Sequence, residues 1–158
     1  VLLLGPLYHL RQRADRIRAL AEARRIVRPG GPVFAAAISR WAPRLDGILS
    51  HRIYQQYPKI VEWCDAMERT GDLPVVSPDW FGGYCHRPAQ LRAELRAAGL
   101  EVTDLVSIEG AGALMPDIEQ RMDDPDDRAA ALTTARALER VPELLGLGPH
   151  LLATARRP

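Results

Sequence analysis

Val1-Leu2-Leu3-Leu4-Gly5-Pro6-Leu7-Tyr8-His9-Leu10 opens with four apolar residues, breaks at Gly-Pro and resumes with Leu7 and Leu10 around Tyr8-His9. An uncharged apolar run stopped by Gly-Pro reads as a strand covered on both faces. Val1–Leu4 is therefore expected to be the end of a buried strand whose neighbours stood upstream of it. Helical spacing follows from Arg11 through Ala14, Ile17, Ala21 and Val27, and Pro29-Gly30-Gly31 ends it. Residues 32–39, PVFAAAIS, form a second short run without charge. Strand, helix, glycine turn and strand make a βαβ unit, with parallel strands and a right-handed crossover. Ligands are expected outside the carboxyl ends of such strands, here Gly5-Pro6 and Ser39-Arg40.

Composition narrows the class. The chain has 158 residues, 47% of them hydrophobic, enough for one compact core, and a formal net charge of +1. That balance creates no general field for nucleic acid, and no apolar run is long enough to span a bilayer. No nucleic-acid or membrane partner is expected. Cys64 and Cys85 are too few for a disulfide framework and suit a reduced, cytoplasmic setting. Cys85-His86 places two metal-capable side chains side by side, but neighbours in an extended segment point apart, so no metal site is expected.

From Trp41 to Gly71 helical spacing returns through Leu49, Ile53, Tyr57, Ile60, Cys64 and Met67, with Pro58 breaking it into two helices. This insert leaves the carboxyl end of a strand, which predicts a helical cap over residues 41–71. Pro88 then opens a helix that Gly99 closes, and LEVTDLVSI follows as a strand. Glu109 to Pro116 reads as a Gly-rich loop. Asp124-Pro125-Asp126-Asp127 begins another helix with a capping residue and acids in its first turn. The closing HLLATARR alternates as a last strand.

VLLLGPLYHL with EARRIVRPGG, then HRPAQLRAELRAAGLEV and HLLATARR, resembles the carboxyl-terminal half of a class I S-adenosylmethionine-dependent methyltransferase. In that family a helix with Arg-x-Leu-x-Pro-Gly-Gly leads to the fifth strand, and Arg25 to Gly31 match it with Val27 in place of Leu. The resemblance implies an α/β, Rossmann-like sheet made of the family's fourth to seventh strands. The last of these is antiparallel between the fifth and sixth, and helical insertions decorate the sheet. It also implies that residues 1–158 are a partial domain. The glycine turn and the ribose-binding acid of the cofactor half are expected upstream of Val1, which would sit at one edge of a four-stranded sheet.

The implied function is methyl transfer from S-adenosylmethionine to a small-molecule acceptor, by a chain inactive alone. The resemblance places Leu4, Gly5 and Pro6 beside the methyl donor. Tyr8 and His9 follow, near donor methyl and acceptor, and His9 is the better base because its ordinary pKa lies near neutrality. Trp41, Tyr54, Tyr57, Trp63, Trp80, Phe81 and Tyr84 gather around the cap. Trp63 is expected in its core, and Tyr57, Tyr84 and His86 in an acceptor pocket. Arg40 and Arg87 could hold an acidic acceptor, and Glu109 and Asp117 could reach the rim. Two other readings stay open. One is half of a nicotinamide-dependent oxidoreductase. The other is a non-catalytic module stabilised by another chain, through self-association or pairing with an amino-terminal half.

Overall fold

The computed structural model describes residues 1–75 and 82–158. The quoted opening stretch forms β1 (Leu2–Leu3) and a short helix, α1 (Pro6–His9). The crossover helix α2 (Arg13–Ile26) leads to β2 (Pro32–Ser39). β1 and β2 are parallel, with Leu2 opposite Phe34 and Leu3 opposite Ala35, so the βαβ unit is present. α2 stops where Val27 turns extended, and Gly30, at φ 73°, makes the turn that a side chain would strain. The Gly30 N–H donates to the Arg157 carbonyl at 2.8 Å, tying that turn to the end of the chain's last strand.

That last strand, β6 (His150–Arg156), lies between β2 and β5 (Glu101–Ser107) and is antiparallel to both. Ala153 stands opposite Ala35 on one side and Leu105 on the other. Small residues along the centre keep the sheet face low. Leu20 of α2 and Leu91 and Leu95 of α4 (Pro88–Ala97) pack in one core with Val33, Ala35, Ala153 and Ala155. Burial on both sides explains why the β2 sequence is continuously apolar rather than alternating.

Among the described residues the sheet has six strands, where the sequence predicts four. β3 (Asp72–Leu73) and β4 (Gly83–His86) add to it, in the order β3-β4-β2-β6-β5 with β1 also on β2. β6 occupies one edge of β2 along nearly its whole length, so β1 and β4 share the other edge. β1 covers its start, and β4, parallel to β2 with Ser39 opposite His86, covers its end. Because β2 outlasts β1, its upper backbone groups would otherwise be unpaired. Cys85-His86 fills that gap. Among the described residues β1 pairs with β2 alone, and Leu2 and Leu4 are 68% and 53% exposed.

The insert over 41–71 breaks around Pro58, but only its second part is a regular α-helix, α3 (Ile60–Thr70). The first part is a wide π-type helix over Pro43–Ser50 followed by a 3₁₀ turn at Ile53–Gln55. Ile60, Cys64 and Met67, one turn apart along α3, form a second core with Leu73 and Cys85, and Trp63 packs against it as expected. Gly71 ends α3 at φ 90°, and a Cβ there would come within 2.5 Å of the Arg40 guanidinium. Past β5, the expected loop contains a 3₁₀ segment, Gly110–Leu114, then α5 (Ile118–Asp123) and α6 (Pro125–Leu138). No helix among the described residues is long and apolar enough to cross a membrane.

Candidate functional site at the carboxyl edge of the sheet

β1, β2, β4 and β5 end on the same edge of the sheet, where antiparallel β6 begins, and three groups of polar side chains collect there. The first follows β1. The Tyr8 hydroxyl donates to the Leu4 carbonyl at 3.0 Å, and the Tyr8 and His9 rings lie 4.9 Å apart. This closes Leu4-Gly5-Pro6 into a tight turn with His9 exposed on its outer side. Tyr57 is half-buried elsewhere, in the insert, with its ring 6.4 Å from that of Trp63.

The second group is sealed. Arg16 of α2, 1% exposed, grips Glu94 of α4 with two hydrogen bonds, Nε to Oε2 at 2.9 Å and Nη2 to Oε1 at 2.7 Å. Its third nitrogen, Nη1, donates to the carbonyls of Leu10 and Arg11, so the network holds the chain just past α1. The Arg16 guanidinium also lies 3.5 Å above the centroid of the Tyr84 ring. His86, fully buried, places Nε2 3.1 Å from Glu94 Oε2, while its Nδ1 is the one buried side-chain polar atom without a partner among the described residues. Arg40 closes the group, donating to the carbonyls of Cys85 and Glu68, to the Tyr84 hydroxyl and to Gln90 Oε1.

Burial pushes the His86 imidazole below its ordinary pKa, against the pull of Glu94, and the nearby Arg16 and Arg40 charges push the same way. Burial alone would raise Glu94, but hydrogen bonds with His86 and Arg16 hold it down to about 2. Neutral His86 therefore donates from Nε2 to an ionised Glu94. Burial likewise pushes the Cys85 thiol up to about 12, leaving it an inert thiol rather than a nucleophile.

The third group sits where β5 ends and β6 begins. His150 Nδ1 lies 2.6 Å from Glu109 Oε1, and the His150 backbone N–H donates to Glu109 Oε2 at 3.1 Å. These side chains keep 42% and 36% of their surface. The hydrogen bond to Glu109 raises the His150 pKa above its ordinary value, and Asp46 adds to it. Glu109 in turn lines a cavity of about 480 Å³ between the Gly110–Leu114 segment, α5 and α6.

No protein-family model matches the chain, and comparison with curated proteins finds no match. Solved structures do resemble it. A SAM-dependent methyltransferase from Methanosarcina mazei superposes with a TM-score of 0.53 at 13% identity, over 99% of this chain and 57% of that one. The cyclase SpnF gives a TM-score of 0.46 at 18% identity, over 99% of this chain and 48% of that one. The chain has a class I methyltransferase fold. It spans about half the length of the structures it matches.

Within that fold, Leu4, Gly5, Pro6, Tyr8 and His9 come together at the end of β1. Arg40, Tyr84 and His86 also come together, but beneath the surface and at most 9% exposed, with the Arg40 guanidinium already committed to protein acceptors. A ligand would reach them only if that packing opened. Trp80 and Phe81 lie outside the described residues. Among the described residues no three His, Cys, Asp or Glu side chains are grouped to hold a metal ion. Sequence reasoning passed over Arg16, Glu94 and His150. Arg16 and Glu94 occur within ordinary charged helical patterns, and their meeting depends on the packing of α2 on α4. The usable signal for His150 was its position as the first residue of the final strand, HLLATARR.

Proposed function

We propose that the chain is the carboxyl-terminal part of an S-adenosylmethionine-dependent methyltransferase acting on a small-molecule acceptor. The carrying observation is the turn Leu4–His9, fixed at the carboxyl edge of a sheet whose last strand is inserted antiparallel between β2 and β5. S-adenosylmethionine supplies an activated sulfonium methyl. An acceptor nucleophile attacks it in line, the carbon–sulfur bond breaks to leave a thioether, and the acceptor proton passes to a base. In this reading Leu4, Gly5 and Pro6 form the wall beside the methyl group. Tyr8 and His9 orient the acceptor, with exposed His9 able to take the proton. Tyr57 borders the acceptor space. Arg40, Tyr84 and His86 support the site from below, since their polar atoms already serve the protein.

These residues fit only one side of the methyl donor. From Leu2 to Leu10 the titratable side chains are Tyr8 and His9, and neither can bind the ribose hydroxyls as a carboxylate would. The chain alone is therefore proposed to bind the donor weakly and to be inactive. Completion by strand pairing, with an amino-terminal half or a second copy, is proposed at β1, which pairs with β2 alone among the described residues.

Titration with S-adenosylmethionine followed by backbone NMR tests both parts. The expected outcome is shifts confined to Leu4–His9 with dissociation in about the millimolar range, near −4 kcal/mol. No shift there at millimolar donor would overturn the methyltransferase reading. A one-to-one micromolar complex in calorimetry would instead overturn the half-site reading.

A further inference from the structure

The cavity beside Glu109 has a specific construction. Along α6, Ala131, Ala135 and Leu138 recur at helical spacing and are the half-buried positions, while none of the helix's residues is fully buried. Opposite them stands Ala111 of the Gly110–Leu114 segment. Larger apolar residues at the alanine positions would fill the space. As built, about 480 Å³ stays open, within the range of small-molecule sites.

Two carboxylates, Glu109 and Asp127, belong to the lining, and Glu109 has its orientation fixed by the protein. Glu109 receives the His150 imidazole on one oxygen and the His150 backbone N–H on the other. The Glu109 backbone N–H also donates to its own carboxylate, and since a carboxylate offers about four acceptor directions, about one remains for a ligand. Arg121, the cation among the lining residues, is held by Asp117 at 2.8 Å. A neutral ligand avoids the desolvation cost that a further charge would meet in such a lining.

We propose that this cavity is a binding site for a compact apolar molecule bearing a hydroxyl group, which donates its hydrogen bond to Glu109. His150 is a positioning residue that holds the carboxylate. As an acceptor subsite the cavity rests on the methyl-transfer reading, but its ligand binding does not.

The test uses the whole chain, without methyl donor, and 1-naphthol as probe, with naphthalene as the partner lacking the hydroxyl. Saturable NMR shifts of the Ala131 and Ala135 methyl groups are expected with 1-naphthol. Naphthalene should bind about 10- to 100-fold more weakly, the usual worth of a hydrogen bond to a charged group. Glu109→Gln should narrow that gap by weakening 1-naphthol alone. His150→Gln should also weaken 1-naphthol, and His150→Asn, with an amide nitrogen nearer the position of Nδ1, should restore part of it. Absence of saturable shifts, or equal affinity of the two probes in the unmodified chain, overturns the proposal. Either result leaves the methyl-donor titration at Leu4–His9 untouched, so the two readings fail separately.

Discussion

His86 with Glu94 and His150 with Glu109 are the same two side-chain types, 3.1 and 2.6 Å apart, at the same edge of one sheet. Their imidazoles are nevertheless pushed in opposite directions. His86 has no exposed surface and faces two guanidiniums, so burial and then Arg16 and Arg40 outweigh the attraction of its carboxylate. His150 keeps 42% of its surface, and the Glu109 hydrogen bond outweighs its smaller loss of solvent. A histidine–carboxylate distance is therefore a poor guide to what the pair does. Burial and the next charges out decide whether it locks packing or remains available to a ligand.

The largest expected effect breaks the sealed pair. Glu94→Leu leaves the Arg16 guanidinium, 1% exposed, without its carboxylate, and removing one partner of a buried ion pair costs about 3–5 kcal/mol. Glu109→Leu removes the carboxylate from a pair that water already screens, with an expected cost of about 1 kcal/mol or less. Urea unfolding of both variants checks the contrast through their midpoints. Equal losses would mean that Arg16 finds another acceptor or water, and the sealed network would not be the anchor of α2 on α4.

The next effect is a difference of sign with pH. The folded pKa of His86 lies below its ordinary 6.5, so the unfolded chain takes up that proton first and stability is lost as pH falls below about 6.5. Glu94 adds to the acid loss, since its contribution is present above about 4.5 and disappears as pH falls through about 2. His150 runs the other way. Its folded pKa is raised, so its contribution is full below 6.5 and is lost as pH rises through the folded value. Imidazole NMR should show His150 titrating above 6.5 and His86 below it. If both titrate on one side, the contrast between the two pairs is gone.

How these features read from sequence follows the same division. The βαβ start, the Gly30 turn, the capped helix at Asp124 and the final strand were legible because each rests on local signals: apolar period, glycine, proline or a capping acid. The antiparallel placement of β6 came from the family resemblance, since seven alternating residues do not carry a strand's direction. β4 was legible only as a short extended segment and not as a member of the sheet. Its four residues, Gly83–His86, pair with the end of β2 because β1 stops short, a fact about relative strand length that no local pattern contains. Tyr84 and His86 were placed in an acceptor pocket from the aromatics gathered around the cap, and Arg40 separately as a residue that could hold an acidic acceptor. Their burial came from Glu94, Arg16 and Gln90 on neighbouring helices, beyond the reach of spacing along the chain.

The smallest expected effect concerns what roofs the open pair. Since α6 buries none of its residues fully, tertiary packing contributes little to it and its local terms matter more. The strongest is the cap: Asp124 Oδ1 accepts from the backbone N–H groups of Asp126 and Asp127, both at 2.9 Å. Asp124→Ala should cost about 1 kcal/mol in helix stability. Because the helix is weakly coupled to the core, the loss should appear as local opening and leave global unfolding nearly unchanged. Hydrogen exchange reads this directly. Amides of α6 should exchange about fivefold faster, as about 1 kcal/mol requires, while those of α4, which carries Glu94, keep their rates. Faster exchange in both helices would mean that the two histidine pairs belong to one cooperative unit, and the division between a sealed network and an open site would not hold.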